Sequence, residues 1–194
     1  MTAVNLSEHR IILGSASPRR KELLAGLDLE FTVDAETNCD EKYDPASRHD
    51  MIPLEIAKAK SKGFHRPLED DEVLITADTM VFCGRDIMGK PKDRDDAVHM
   101  LRRLSGNTHT VVTGVYIRTN AKGQGFACTS EVTFKKLEDS EIEYYIDRYR
   151  PYDKAGAYGI QEWIGYAGIT SINGSYYNIM GLPVQRLYTA LKDF

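Results

Sequence analysis

Residues 11–24 read IILGSASPRRKELL, and their reading decides the fold. Ile11-Ile12-Leu13 is a short apolar run of strand-forming residues, Gly14-Ser15-Ala16-Ser17 interrupts it, and Pro18 opens a segment of good helix formers. The pattern predicts strand, tight loop, helix. Ser17 is a favoured N-cap, and Pro18 takes the first helical position, where its missing N–H costs nothing. Arg19 and Arg20 follow in the first turn. A helix N-terminus already carries about half a positive charge, so two cations there oppose it unless an anion joins them. With free N–H groups and the Ser15 and Ser17 hydroxyls, the loop has the makings of a phosphate cradle. Taken alone, the stretch reads more plainly as a capped helix with two solvated arginines. If an anion is what the arginines await, their removal should harm binding more than folding.

Outward from this stretch the elements alternate. Residues 29–33 read as a strand, and a polar loop over 34–50 carries Asp40-Glu41, with Asp50 expected to cap a helix over 52–64 that bears Lys60. Residues 73–82, VLITADTMVF, form a nearly continuous apolar run, as a central strand covered on both faces would, yet they contain Asp78. Gly84 and Asp86 mark a turn, 88–91 a short extended piece, and Asp93 the cap of a helix to Leu104, with Gly106 after it. Residues 108–119 and 126–135 are β-rich runs joined by a polar turn, a predicted antiparallel pair. A helix over 139–149 precedes Pro151. A loop of small residues over 155–161, a strand over 169–172, a turn at Asn173-Gly174 and a helix over 183–191 complete the chain. Alternating elements with one antiparallel pair predict an α/β fold on a mixed sheet.

The bulk properties narrow the function. A chain of 194 residues is long enough for one well-buried domain. We expect a single domain over 1–194. A net charge of −4 argues against a general nucleic-acid footprint and favours small anionic ligands in a local basic site. Cys39, Cys83 and Cys128 are widely spaced, with no CxxC pair, which fits a reducing cytoplasm. The opening MTAVNLSEHR has no apolar leader core, and no later run approaches the ~18 apolar residues of a membrane span.

Several polar residues resist a structural role. A carboxylate inside an apolar strand is costly to bury unless it is paired, bound to a metal or placed at a strand end, which marks Asp78. Hard oxygen ligands from Asp78 and from Glu41 or Asp40 would suit Mg²⁺ or Mn²⁺, which bind few carboxylates and leave room for water and phosphate oxygens. Lys60 and Lys90 stand beside small or turn residues. With Arg19 and Arg20 they make four cations for a polyphosphate, each worth roughly 1 to 4 kcal/mol at ~4 Å across effective dielectrics of 80 to 20.

Taken together these pieces resemble the Maf family of nucleoside triphosphate pyrophosphatases. The matching motifs are Ser15-Ala16-Ser17-Pro18-Arg19-Arg20, Asp40-Glu41, Ala57-Lys58-Ala59-Lys60, Ala77-Asp78-Thr79, Gly89-Lys90-Pro91, Leu104-Ser105-Gly106 with His109, Thr113-Gly114, Ala155-Gly156-Ala157-Tyr158-Gly159-Ile160-Gln161 and Gly181-Leu182-Pro183. They occur in the family's order over nearly the whole length. Gly14 and Met80 depart from the residues usual at their positions.

The resemblance implies an α/β fold with a long, mixed, strongly twisted sheet flanked by helices, and two lobes around a deep cleft, similar to inosine triphosphate pyrophosphatases. It also implies hydrolysis between the α and β phosphates. Ala-Asp-Thr with a later glutamine-ended loop is similar to the branch acting on dTTP and UTP. The implied roles are Asp78 as base and metal ligand, Glu41 as the preferred second metal ligand, and Lys60 and Lys90 as catalytic cations. Ser15, Arg19 and Arg20 would hold the polyphosphate, and Thr79 and Gln161 would read the base. The expected cofactor is a divalent cation, Mg²⁺ or Mn²⁺, the resemblance implies a homodimer, and neither nucleic acid nor membrane is expected as a partner. A nucleotide-binding regulator of cell division (septum formation) without hydrolysis is the alternative, and pure binding would not require an intact Asp78 with two lysines.

Overall fold

The computed structural model describes residues 9–44, 46–192 and 194. The opening stretch read for a leader lies outside these residues at positions 1–8, as does Pro45 of the acidic loop.

The elements run β1 (Arg10–Leu13), α1 (Pro18–Ala25), β2 (Phe31–Val33), α2 (Ile52–Lys62), β3 (Glu72–Cys83), β4 (Asp86–Met88), α3 (Arg94–Leu104), β5 (Thr108–Arg118), β6 (Gly123–Phe134), α4 (Asp139–Tyr149), a 3₁₀ turn (Ala155–Ala157), α5 (Trp163–Gly168), β7 (Ile169–Asn173), α6 (Tyr176–Met180) and α7 (Val184–Lys192). Seven strands form one mixed sheet in the order β2-β1-β3-β5-β6-β7, with β4 attached to β3, and helices lie between successive strands except from β3 to β4 and from β5 to β6. β1 runs parallel to both neighbours, with Ile11 opposite Phe31 on one side and Val73 on the other. β4 folds back antiparallel on β3, and β7 is antiparallel to β6 with an irregularity between Thr133 and Phe134.

The chain packs as two compact units. The first comprises Met1–Asp78, Thr113–Cys128 and Gly181–Phe194, and the second Thr79–Val112 and Thr129–Met180, so β3, β5 and β6 supply residues to both. In the first unit Ile12, Phe64, Leu68 and Leu74 form a buried cluster. In the second, Leu101, Leu104, Phe134, Ile142 and Tyr145 are fully enclosed. Each such side chain stabilises the fold by about 1.5–3 kcal/mol relative to leaving it in water.

The α1 start follows the reading from sequence: Ser17 is the N-cap, its hydroxyl accepting from the Arg20 amide, and Pro18 opens the helix. Asp93 caps α3 in the same way. Asp50, expected to cap α2, does not. Arg48, two residues earlier, holds its carboxylate in a two-pronged pair at 3.0 and 2.6 Å, and the α2 cap position falls to Met51 with no side-chain bond. The extended piece expected over 88–91 is instead the end of a hairpin, β4, which stops at Met88. α5, α6 and β4 were not anticipated.

One contact fixes where α2 sits. A Cβ at Gly114 of β5 would meet the Leu54 amide nitrogen at 2.2 Å and the Pro53 carbonyl carbon at 2.3 Å, so only a bare glycine lets the first turn of α2 lie on this strand. The Thr76 hydroxyl of β3 donates to the Ala57 carbonyl at 2.7 Å, tying the middle of the helix to the sheet.

Candidate active site

In the first unit the loop after β1 is drawn tight against β3. The Gly14 amide donates to the Ile75 carbonyl at 2.8 Å, and a Cβ there would lie 2.8 Å from the Thr76 methyl. Ser15 is buried, and its hydroxyl accepts from the Ser17 amide at 3.3 Å and from Arg20 Nη1 at 3.2 Å. Arg20 also donates from Nε to the Gly181 carbonyl at 2.8 Å. Desolvation pulls its guanidinium below the ordinary value. The charge of Asp78 opposes that pull, Arg19 adds to it and Glu41 again opposes it. The serine–arginine loop therefore lies within the field of both candidate carboxylates.

Those carboxylates share one cation. Lys60, from the last turn of α2, places Nζ 2.8 Å from Asp78 Oδ1 and 2.8 Å from Glu41 Oε1. Asp78 stands on β3 and is 9% exposed, whereas the Glu41 side chain is 60% exposed. Asp40 turns to solvent and pairs with Lys42 at 2.7 Å. The end of α2 is clamped from two sides. Arg118 donates to the Ser61 carbonyl and hydroxyl through Nε and Nη2, and Thr37 donates to the Lys60 carbonyl. The backbone that carries Lys60 is thus fixed, and its ammonium is held by the two carboxylates.

The second unit carries the remaining candidates. Thr79 is half-buried and Lys90 exposed. Gly156, at φ +71 in the 155–161 loop, donates its amide to the Gly89 carbonyl at 3.0 Å, next to Lys90. At the loop's end the Gln161 Oε1 atom is buried with no hydrogen-bond partner among the described residues. Tyr158 meets His109 Nε2 at 2.7 Å through its hydroxyl.

Ser15, Arg20, Glu41, Lys60 and Asp78 are thus linked by contact or field within one unit, and Thr79, Lys90 and Gln161 lie in the other. The profile of the Maf-like protein family matches residues 10–194. The chain belongs to the Maf family. A protein named dTTP/UTP pyrophosphatase from Parabacteroides distasonis is 53% identical over 98% of both chains. One of the same name from Porphyromonas gingivalis strain W83 is 52% identical over 98% of this chain and 96% of its own. A third, from Flavobacterium psychrophilum, is 46% identical over 95% of this chain and 94% of its own.

For this Maf-like chain the donor set fits a hard divalent cation in its chemistry. Two carboxylates lie within hydrogen-bond distance of one cationic point, the number that suits a metal which otherwise binds phosphate oxygens and water. Among the described residues no group of three His, Cys, Asp or Glu converges on one position, so a closed protein cage for a metal is not present there. No helix among them is long and apolar enough to cross a membrane.

Three residues around the 155–161 loop escaped the sequence reading: Lys154, Glu162 and Tyr145. Lys154 pairs with Glu162 at 3.0 Å, and Tyr145 bonds Glu162 and the Gly159 amide. The available signal was a lysine directly before and a glutamate directly after a run of small residues.

Proposed function

We propose that this Maf-family chain is a nucleoside triphosphate pyrophosphatase that hydrolyses dTTP and UTP to the nucleoside monophosphate and pyrophosphate. The observation that carries the reading is the buried Asp78 joined through Lys60 to Glu41, in a chain about half identical over nearly its full length to proteins bearing that name.

Asp78 accepts a proton from water as the water oxygen bonds the α phosphorus. The bond from that phosphorus to the bridging oxygen breaks, and pyrophosphate leaves with the electron pair. Phosphoryl chemistry of this kind needs positioning and charge neutralisation more than covalent help from the protein. Lys60 orients Asp78 and offers its ammonium to phosphate oxygens. Arg19, Arg20 and the Ser15 hydroxyl receive the polyphosphate at the start of α1. Asp78 and Glu41 are the residues that would hold Mg²⁺ or Mn²⁺, whose chemistry when bound is to neutralise phosphate charge and lower the pKa of a bound water. On the likeness of their motifs, Lys90 is a further phosphate-binding cation, and Gln161 with Thr79 reads the pyrimidine. The two units act as one domain, and the assembly is a homodimer, which sedimentation equilibrium would register as twice the chain mass.

Purified protein with dTTP, UTP, CTP, ATP and GTP in Mg²⁺ buffer tests this. dTTP and UTP should be cleaved at least tenfold better in kcat/KM than the purines, because misplaced donors and acceptors cost about 1 to 3 kcal/mol each. In ¹⁸O-water the label should enter the monophosphate. Label in pyrophosphate would place attack on the β phosphorus, and the absence of hydrolysis would end the reading.

A further inference from the structure

The 155–161 loop is flanked by opposite charges to which the proposed reaction assigns no task. Lys154, only 8% exposed, places Nζ 3.0 Å from Glu162 Oε1, so the pair closes the base of the loop. Its second bond, to Asp153 at 2.8 Å, leads toward solvent. Tyr145, fully buried on α4, donates its hydroxyl hydrogen to Glu162 Oε2 and accepts the Gly159 amide at 2.9 Å. Burial, aided by the bonded carboxylate, raises the Tyr145 pKa and keeps the phenol protonated as a donor. A Cβ at Gly159 would lie 2.8 Å from the Glu162 carboxyl carbon and 3.1 Å from Lys154 Cε, so glycine is what leaves room for the pair.

Each segment of the loop is therefore pinned. Gly156 is bonded to Gly89, Tyr158 to His109, Gly159 to Tyr145, and the ends to one another. Gln161, one residue before Glu162, is left with a buried amide oxygen that no group among the described residues satisfies. A buried acceptor without a partner costs free energy unless something else donates to it, and rigid walls are what make such a cost selective.

We propose that Lys154, Glu162 and Tyr145 form a brace that positions the 155–161 loop so that the Gln161 amide meets the substrate base in one fixed orientation. They are positioning residues for base selectivity, resting on the pyrimidine reading above. A merely structural pair would move the melting temperature and leave selectivity alone. A brace for recognition moves selectivity in protein that is still folded.

Tyr145→Phe removes the hydroxyl alone, and two measurements read the result. In hydrogen–deuterium exchange, peptides over 155–161 should exchange at least tenfold faster while those from β1 and α2 stay as in the wild type. The ratio of kcat/KM for UTP over GTP should fall at least fivefold, carried by a higher KM for UTP with kcat within threefold. Glu162→Gln, which still accepts from Tyr145, should keep more of the selectivity than Glu162→Ala. If Tyr145→Phe melts too low to assay, Gly159→Ala disturbs the same pair from the other side. Wild-type exchange and wild-type selectivity in both variants would overturn the brace. A wild type without pyrimidine preference would instead sink the substrate reading, and loop exchange would still decide whether the brace exists.

Discussion

Arg20 donates from Nε to the carbonyl of Gly181, 2.8 Å away across 161 positions of sequence, while its Nη1 reaches the Ser15 hydroxyl. The arginine therefore holds the loop to the far end of the chain as well as facing a candidate phosphate site. Arg20→Ala should lower the melting temperature by several degrees, because charged hydrogen bonds contribute about 1.5–3 kcal/mol and ~1 kcal/mol shifts a chain of this size by about 2–4 °C. This revises the expectation that both arginines could be lost with little effect on folding. Arg19→Ala, in the same first turn of α1, should raise KM for UTP. Thermal denaturation beside UTP kinetics separates the two.

Asp78→Asn keeps the size of the side chain and its bond to Lys60 but removes the charge and the base. We expect kcat to fall at least about a hundredfold, the lower range of general-base catalysis. Turnover close to wild type in saturating Mg²⁺, with an unchanged circular dichroism spectrum, would contradict the role.

His109 titrates in a way that affects stability. Its ring is buried, stacks on Phe134 at 5.6 Å and bonds Tyr158, and burial pulls its pKa from 6.5 to about 4. The unfolded chain takes up a proton below pH 6.5 that the folded one refuses until about pH 4. The stabilisation from this neutral ring is thus fully present above pH 6.5 and is lost as pH falls to 4, on the order of 3 kcal/mol. His109→Gln, whose amide can still reach Tyr158, should flatten the stability curve between pH 6.5 and 4. Urea unfolding at a series of pH values measures the difference. Parallel curves would assign the slope to other groups.

Gly114→Ala places a methyl where the Leu54 and Pro53 backbone now lies. Backbone cannot swing aside as a side chain can, so α2 must shift, and overpacking of this kind costs about 1–3 kcal/mol or more. Because Lys60 rides on the end of the same helix, kcat should fall along with stability, although Gly114 touches none of the candidate catalytic groups. A stable Gly114→Ala with full activity would mean that α2 tolerates displacement.

What could be read from sequence divides by the range of the cause. The β1 loop and α1 were legible because Ser17, Pro18 and the Ile11-Ile12-Leu13 run act within one turn or strand. Asp78 was legible because a carboxylate in an apolar strand is anomalous in any fold. The Asp50 cap failed to a competitor, Arg48, that differs from a solvated arginine only in where its side chain points. β4 offers just Ile87 and Met88 as apolar residues, and α5 contains Gly165 and Gly168, so neither carries enough periodicity to register. Lys154 and Glu162 were passed over because such residues are by default solvated, and their burial depends on Tyr145 arriving from α4.

The β1 loop leaves the ribosome before any residue of the second unit, yet its own unit includes Gly181–Phe194, which emerges after all of them. The second unit, by contrast, has all its residues once Met180 is out. Synthesis order and completion order are therefore reversed for the two halves: the serine–arginine loop must wait for its tie to Gly181 until the second unit has emerged in full. A chain stopped before Gly181 would already carry Ser15, Lys60 and Asp78 but would lack the carbonyl to which Arg20 is tied.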